Sequence, residues 1–469
     1  MLNSTWKLVS RIALIVVGVA FISSCDDLLD TSPSTEVDPE TAQEDIDGIE
    51  AIMTSVYNRL QSEWRYGREV TLGPDVLADN TDQHPNTSGR YDGMAVNSQG
   101  SHVTFWNTAY LTINEANFVI DGAGDVDAPE HVQQRLLGEA LFLRGYTYFD
   151  LARTYGYEPG REVDGWTQSA IIRTEPTRDR DQADLRARSS NTEVYQQALD
   201  DLTEAAELLA DEDRDVYFAS FEGAHGLLAR LNLYLENWQD AVDHAEIALA
   251  ETGAELITDE DDFTDGNPFS EVPNEESIME LNIDPVEESL GSNDGLCPYT
   301  NPQHWHDVIP SQNLLDIFDE DDWRLNLFAE HDDGFPYTLK WNCSTGATDD
   351  NVPLIRVPEM YLIIAEAQAE LGNFEDAHDA LNTLREARGI DPVSGYNDAE
   401  DFIVEEVLSE RRRELNFEGH RFYDLKRRAM DIPKQDGLPT LDYDDFRVLS
   451  TLPSDEVDNN PNLDDNPGY

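Results

Sequence analysis

The residues best equipped for chemistry fall in two loop-like stretches. One, from 79 to 94, carries Asp79, Asn80, His84, Asn86, Arg90 and Tyr91. The other, from 293 to 343, carries Asn293, Tyr299, His304, Trp305, Tyr337 and Trp341. Such a mixture suits a ligand with apolar faces and polar edges. Tyr and Trp rings supply contact area at low entropic cost, and Asn, Asp, His and Arg bind hydroxyl groups. The competing reading is that Trp305 and Trp341 pack the loop interior beside Cys297 and Cys343. Those two thiols either stay free or, in an oxidising compartment, form a bridge contributing about 4 kcal/mol by chain entropy.

Other constellations point elsewhere. His304-Trp305-His306-Asp307 would set two imidazoles on one side of a strand, as a metal site needs, but its sequence neighbours complete no ligand set, so no metal is expected. Asp261-x-Phe263-x-Asp265-Gly266 fails as a calcium loop, because Phe263 stands where an oxygen ligand belongs and Val272 at its twelfth position. With 97 Asp and Glu, any carboxylate spacing is available, so paired acids say nothing about glycoside hydrolysis. No nucleophile elbow, P-loop or dinucleotide fingerprint is present, and no enzyme and no cofactor are expected. Arg411, Arg412, Arg413 and Arg421 could bind an anion. Their three- and four-residue spacing to acids instead favours helix pairing and docking on acidic neighbours.

The elements that must position these loops are helices. Apolar patterning predicts helices from Ile46 to Leu60 and from Phe105 to Ile120, with a loop over 64–104 marked by repeated Gly and Pro. Leu137, Leu141, Gly145, Tyr148, Ala152 and Tyr155 share one helix face, with Gly145 where a neighbour can approach. Ser190-Asn191-Thr192-Glu193 is a capping box, followed by Val194, Ala198, Leu202, Ala205 and Leu209 on one face. Leu228-Ala229…Asn237-Trp238-Gln239-Asp240-Ala241 matches Ile364-Ala365…Asn373-Phe374-Glu375-Asp376-Ala377 at a constant offset, the register of a tetratricopeptide-type helical hairpin. An all-α architecture follows, with hairpins over about 131–252 and 356–430. A loop-rich insertion occupies about 253–355, and an irregular tail 433–469.

Charge narrows the partners. The 469 residues hold 31 Lys and Arg against the 97 acids, a formal net charge of −66, which excludes nucleic acid as a ligand. Only four residues are lysines (Lys7, Lys340, Lys426, Lys434), and this acid-rich, Lys-poor composition resembles that of proteins from extreme halophiles, where salt screens self-repulsion. At the N-terminus, Lys7 and Arg11 precede the apolar run from Ile12 to Phe21, too short to span a bilayer. Ile22-Ser23-Ser24-Cys25 then resembles a bacterial lipobox. Residues 1–24 are expected to be a lipoprotein signal peptide, Cys25 the lipidated first mature residue, and 25–45 an extended leader.

Several blocks together resemble the SusD/RagB family of outer-membrane nutrient-binding lipoproteins. They are Cys-Asp-Asp-Leu-Leu-Asp (25–30), the Trp106…Tyr110…Ile113…Asn117 helix, Arg144-Gly145-Tyr146-Thr147-Tyr148-Phe149-Asp150-Leu151, and Glu359-Met360-Tyr361-Leu362-Ile363-Ile364-Ala365-Glu366-Ala367. To these add Glu410-Arg411-Arg412-Arg413-Glu414-Leu415…Phe417-Glu418-Gly419-His420-Arg421-Phe422-Tyr423-Asp424-Leu425 and the closing Asn-Pro-Gly-Tyr. The resemblance implies about four tetratricopeptide-like hairpins over 46–469, with a large irregular lobe carrying the ligand site. It also implies a surface-exposed, lipid-anchored protein that caps a TonB-dependent transporter of the SusC type and passes it an oligosaccharide or peptide. A repeat scaffold that binds only proteins is the alternative.

Overall fold

Two glycines explain why the longest helix finds its partner. In the computed structural model, which describes residues 42–178, 185–212, 214–283, 290, 294–346, 349–393, 400–434 and 437–469, a Cβ on Gly145 would sit 3.0 Å from Leu202 and one on Gly138 2.9 Å from Leu209. The missing side chains let Glu130–Tyr155 and Asn191–Leu209 pack closely as an antiparallel pair. The second helix opens with the expected capping box, Ser190 and Glu193 each bonding the other's backbone N–H.

The helices are α1 (Ile46–Gln61), α2 (Glu69–Val76), α3 (Asp92–Ala95), α4 (Trp106–Gly122), α5 (Glu130–Tyr155), α6 (Asn191–Leu209), α7 (Phe221–Tyr234), α8 (Trp238–Glu251), α9 (Glu260–Thr264), α10 (Leu296–Thr300), α11 (Gln312–Leu315), α12 (Val357–Glu370), α13 (Phe374–Glu386), α14 (Glu400–Glu414), α15 (Arg421–Arg427) and α16 (Ser454–Asn459). The main packing pairs are α1 with α4, α5 with α6, α7 with α8 and α12 with α13, and each pair stacks on the next around one hydrophobic core. The fold is all-α, with four tetratricopeptide-like hairpins.

The sequence repeat is a structural repeat. Asn237 and Asn373 both precede a helix with nearly the same backbone (φ −82 and −89°). Their side-chain amides reach back five residues to Asn232 and Gln368. Ala241 and Ala377 are fully buried where the second helix closes on the first. One residue earlier the chain must turn left-handed: Gly372 does so freely at φ 79°, whereas Glu236 does so at 58° against its own Cβ.

The insertion does not separate these hairpins, because α8 packs directly on α12. Its ends are tied by an antiparallel ladder between β2 (Ser277–Leu281) and β6 (Val352–Arg356). Two smaller ladders lie in the lobe. β1 (Thr81–Gln83) pairs with β3 (Val308–Pro310), and β4 (Phe328–Glu330) with β5 (Pro336–Thr338).

The 64–104 stretch departs from expectation, since α2 is a wholly buried helix. Gly73 and Pro74 read as breakers, but a Cβ on Gly73 would meet Val103 at 2.6 Å, so the glycine serves close packing.

The Glu410–Glu414 block forms a buried ionic hub rather than an anion site. Glu414 receives Arg388 at 3.0 Å, Arg324 at 3.1 Å and Arg356 at 3.2 Å, while Glu410 binds Arg324 at 2.6 Å and Arg385 at 2.9 Å. Arg411 bonds Asp424 at 3.1 Å. Burial alone would raise the Glu414 pKa, but Arg388, Arg356 and Arg324 outweigh it and hold the carboxyl well below its usual range. Arg324 comes from the lobe, Arg356 from β6 and Arg388 from just beyond α13, so the hub clamps insertion to scaffold.

Lys340 and Lys426 are buried as well, bonded to Glu418 and Glu158. Among the described residues no helix is long and apolar enough to cross a membrane. Cys25, the signal segment 1–24 and the leader up to residue 41 lie outside the described residues.

Candidate functional site

The two loop regions singled out by composition are brought together. The β1–β3 ladder joins them, and beyond its end the His84 N–H bonds the Asp307 carbonyl at 2.9 Å. The Asp307 carboxylate then accepts from the Ser88 backbone N–H at 2.7 Å and from the Ser88 hydroxyl. A disulfide between Cys297 and Cys343, with Cα atoms 5.5 Å apart, fixes the far side. The result is a rigid ridge in the lobe.

Not every candidate residue reaches its surface. Asp79 is buried and salt-bridged to Arg421 at 2.8 Å and Arg412 at 3.2 Å. Asn80 is buried too, donating to Asp75 at 2.6 Å and accepting from Arg412 at 2.8 Å. Tyr91 lies beneath the ridge, edge-on to Tyr299 at 5.6 Å. Trp341 is 1% exposed, and its indole N–H donates to the Phe417 carbonyl at 3.0 Å, which makes it core. These four support the lobe instead of lining a site. Asn293 lies outside the described residues.

What remains outward-facing is coherent. Trp305 is 49% exposed, and His304, Asn86 and Arg90 are exposed beside it in the same loops. Arg90 lies 4.9 Å over the buried Tyr299 ring and bonds Asp294 at 3.3 Å, while Arg68 covers the same ring at 5.2 Å. Burial raises the Tyr299 pKa, and the two guanidinium groups partly oppose it. Tyr337 is half-buried, edge-on to His306 at 6.2 Å.

The histidine pair does not follow its expected strand geometry. His304 and His306 lie in a turn, with His306 at φ 48°. His304 points to the Cys343 sulfur at 3.8 Å, and His306 points inward. Inside, His306 stacks on His84 with centroids 4.8 Å apart, and His84 Nε2 lies 3.3 Å from Asp333. Burial, then the adjacent His84, lowers the His306 pKa. The β4–β5 turn supplies Asp333, His331 and Phe335, none of which sequence spacing had marked, although His331-x-Asp333 is itself a two-residue ligand spacing.

Two open clefts lie away from the ridge, and the sequence reading missed both. One of about 460 Å³ runs along α4 past Tyr110, Leu111 and Leu185. Its Asn114 and Asn117 are already spent on holding Thr177, Arg173 and Glu175. The other, about 490 Å³, is lined by Glu212, Glu222, Glu251 and Glu275, with Arg214 already paired to Glu139 at 3.0 Å. Compared with these two clefts, the ridge offers the more exposed mixture of rings and polar groups.

Comparison with known proteins agrees with this architecture. Residues 328–469 match the model of the SusD family. Residues 27–233 match one described as starch-binding associating with outer membrane. Two SusD-like proteins of Formosa agariphila are similar, at 24% identity with 99% of each chain covered, and at 26% with 98% of this chain and 99% of the relative covered. The crystal structure of a SusD superfamily protein from Bacteroides thetaiotaomicron superposes with a TM-score of 0.78, at 25% identity and over 90% of this chain and all of that one. Hairpin order, terminal blocks and both family matches converge: the chain belongs to the SusD/RagB family.

Proposed function

We infer that this protein captures an oligosaccharide at the outer face of the outer membrane and hands it to a SusC-like TonB-dependent transporter. The observation that carries this reading is the ridge itself. An exposed indole (Trp305), a half-exposed phenol (Tyr337) and exposed polar side chains (Asn86, His304) stand on a loop pair braced by a ladder and a disulfide. A sugar ring stacks on such an indole, and the surrounding groups bond its hydroxyls without reorganising first. The family description as starch-binding and outer-membrane-associated supports the ligand class and the location. Anchoring through lipid on Cys25, and a solvent of high salt that screens the −66 charge, complete the reading. Binding, not catalysis, is its role. Ligand held between this protein and the transporter biases closure of the pair.

Intrinsic tryptophan fluorescence in high salt, titrated with a panel of oligosaccharides and peptides and followed by a check of ligand integrity, tests it. Saturable binding of an intact oligosaccharide, lost in Trp305→Ala, is the expected result. Peptide binding would change the ligand class, and cleavage would make the protein an enzyme. Silence across the panel, with retained affinity for a transporter, would leave a protein-binding scaffold.

A further inference from the structure

We propose that His84, His306 and Asp333, assisted by His331, form a binding site for a divalent transition-metal ion of the zinc class at the root of the ridge. The residues come from three separate segments: the end of β1, the turn before β3, and the β4–β5 turn. The ligand atoms of the first three all lie within 4.8 Å of one another. Zinc bonds imidazole nitrogen and carboxylate oxygen at about 2.0–2.2 Å, so the cluster would need to contract by only about an ångström. Neutral imidazoles with one carboxylate favour zinc and its transition-metal neighbours over magnesium or calcium, which take all-oxygen shells.

The surroundings fit a held ion better than simple packing. His84 and His306 are 5% and 4% exposed, and their rings stack with centroids 4.8 Å apart, which holds two imidazoles side by side out of solvent. The second nitrogen of His306, Nε2, lies 3.3 Å from the Pro336 carbonyl, the kind of outer contact that fixes a ligating imidazole. His331 Nδ1 lies 3.0 Å from Asp333 Oδ1 but is shielded from solvent and makes no well-aligned hydrogen bond. Its ring stands 6.3 Å from His306. Phe335 closes the apolar side, edge-on to His84 at 4.8 Å. Asp333 itself is exposed, which leaves the ion a route in and a coordination position open to water.

Binding has one readable cost. His84 Nδ1 accepts the Asn86 backbone N–H at 3.2 Å, so Nε2 carries the proton and faces Asp333. An ion at Nε2 takes that proton's place, the same proton moves to Nδ1 as the ring changes tautomer, and the Asn86 contact breaks. Metal binding therefore reports at the Asn86 amide.

The test is a zinc titration of the full chain with its disulfide intact, then cobalt substitution, whose visible bands report nitrogen ligation. One equivalent should bind, with a shift of the Asn86 amide resonance. Affinity should fall by about tenfold or more in Asp333→Asn, where the exposed turn can accept the change, and further in His306→Asn, which keeps a residue tolerant of the left-handed backbone. The double variant His225→Ala, His244→Ala removes the other close histidine pair, Nδ1 to Nδ1 2.8 Å, and should bind zinc as the parent does. The proposal is overturned if the parent chain binds no equivalent of zinc, if cobalt shows oxygen-only ligation, or if the affinity survives both Asp333→Asn and His306→Asn. Loss of binding in the His225/His244 variant alone overturns it too. If His306→Asn fails to fold, Asp333→Asn decides.

Discussion

The hub around Glu414 and the ridge around His306 are both clusters of charged or ionisable groups that join the insertion to the rest of the chain, and they differ in what is left unspent. In the hub, three guanidinium groups converge on one carboxylate and are shared with Glu276, Glu410 and Glu418, so the charges are matched inside the protein. In the ridge, two imidazole rings stack, an indole stands in solvent, and an arginine spreads over a ring. Residue type does not separate a functional cluster from a structural one. Whether its bonding capacity is already used does.

Breaking the hub should cost most. Glu414→Ala would take one buried partner from each of Arg324, Arg356 and Arg388, leaving an excess of positive charge in the interior, and should lower stability by about 5 kcal/mol, the upper end for a broken buried pair, read by denaturant unfolding in high salt. Trp341→Ala tests whether the buried tryptophan belongs with the scaffold. A cost of about 4 kcal/mol is expected from the cavity and the orphaned Phe417 carbonyl, measured in the same way. Serines at both Cys297 and Cys343 should cost about 4 kcal/mol, because the bridge closes a loop of 46 residues, and should loosen ligand binding along with the fold.

The pH profile sharpens the contrast. Glu414 and Glu410 have folded pKa values below the usual one, so what they contribute is present above the unfolded carboxylate pKa and lost only as pH falls through their depressed values. Early acid sensitivity must come from imidazoles buried neutral. His102, lowered to about 4 by burial, contributes stability that is whole above its unfolded value of about 6.5 and shrinks as pH falls toward 4. His102→Gln should reduce the slope of thermal stability across that window, with His225 and His420 still contributing, while leaving the more acidic limb unchanged.

The smallest stability effect should belong to the ridge. Trp305→Ala, with its ring already half in solvent, should change unfolding by less than about 0.5 kcal/mol yet abolish the ligand-induced fluorescence change. A Trp305 variant that unfolds as readily as the Trp341 one would erase the distinction.

Much of the scaffold was legible in the residues because helices are local. The capping box at Ser190, the Gly145 face and the repeated Asn-aromatic-x-x-Ala register each follow from contacts within a turn or between adjacent helices. Helix α2 was not, because Gly73 and Pro74 break helices on average and are accepted here for a close approach to Val103 that only the packed chain reveals.

For the site, composition found the two loops but could not sort their members. Asn80 and Trp341 share residue types with Asn86 and Trp305, and burial alone separates the two pairs. Sequence by itself determined the hairpin repeat, the extreme acidity and the family, since each is written in periodicity, counts or contiguous blocks. Tertiary structure decided which arginines are locked in the hub, which rings meet solvent, and that His84, His306 and Asp333 share one corner. Those three are separated along the chain by long intervals. Only the β1–β3 and β4–β5 ladders, folding back on each other, bring them within reach.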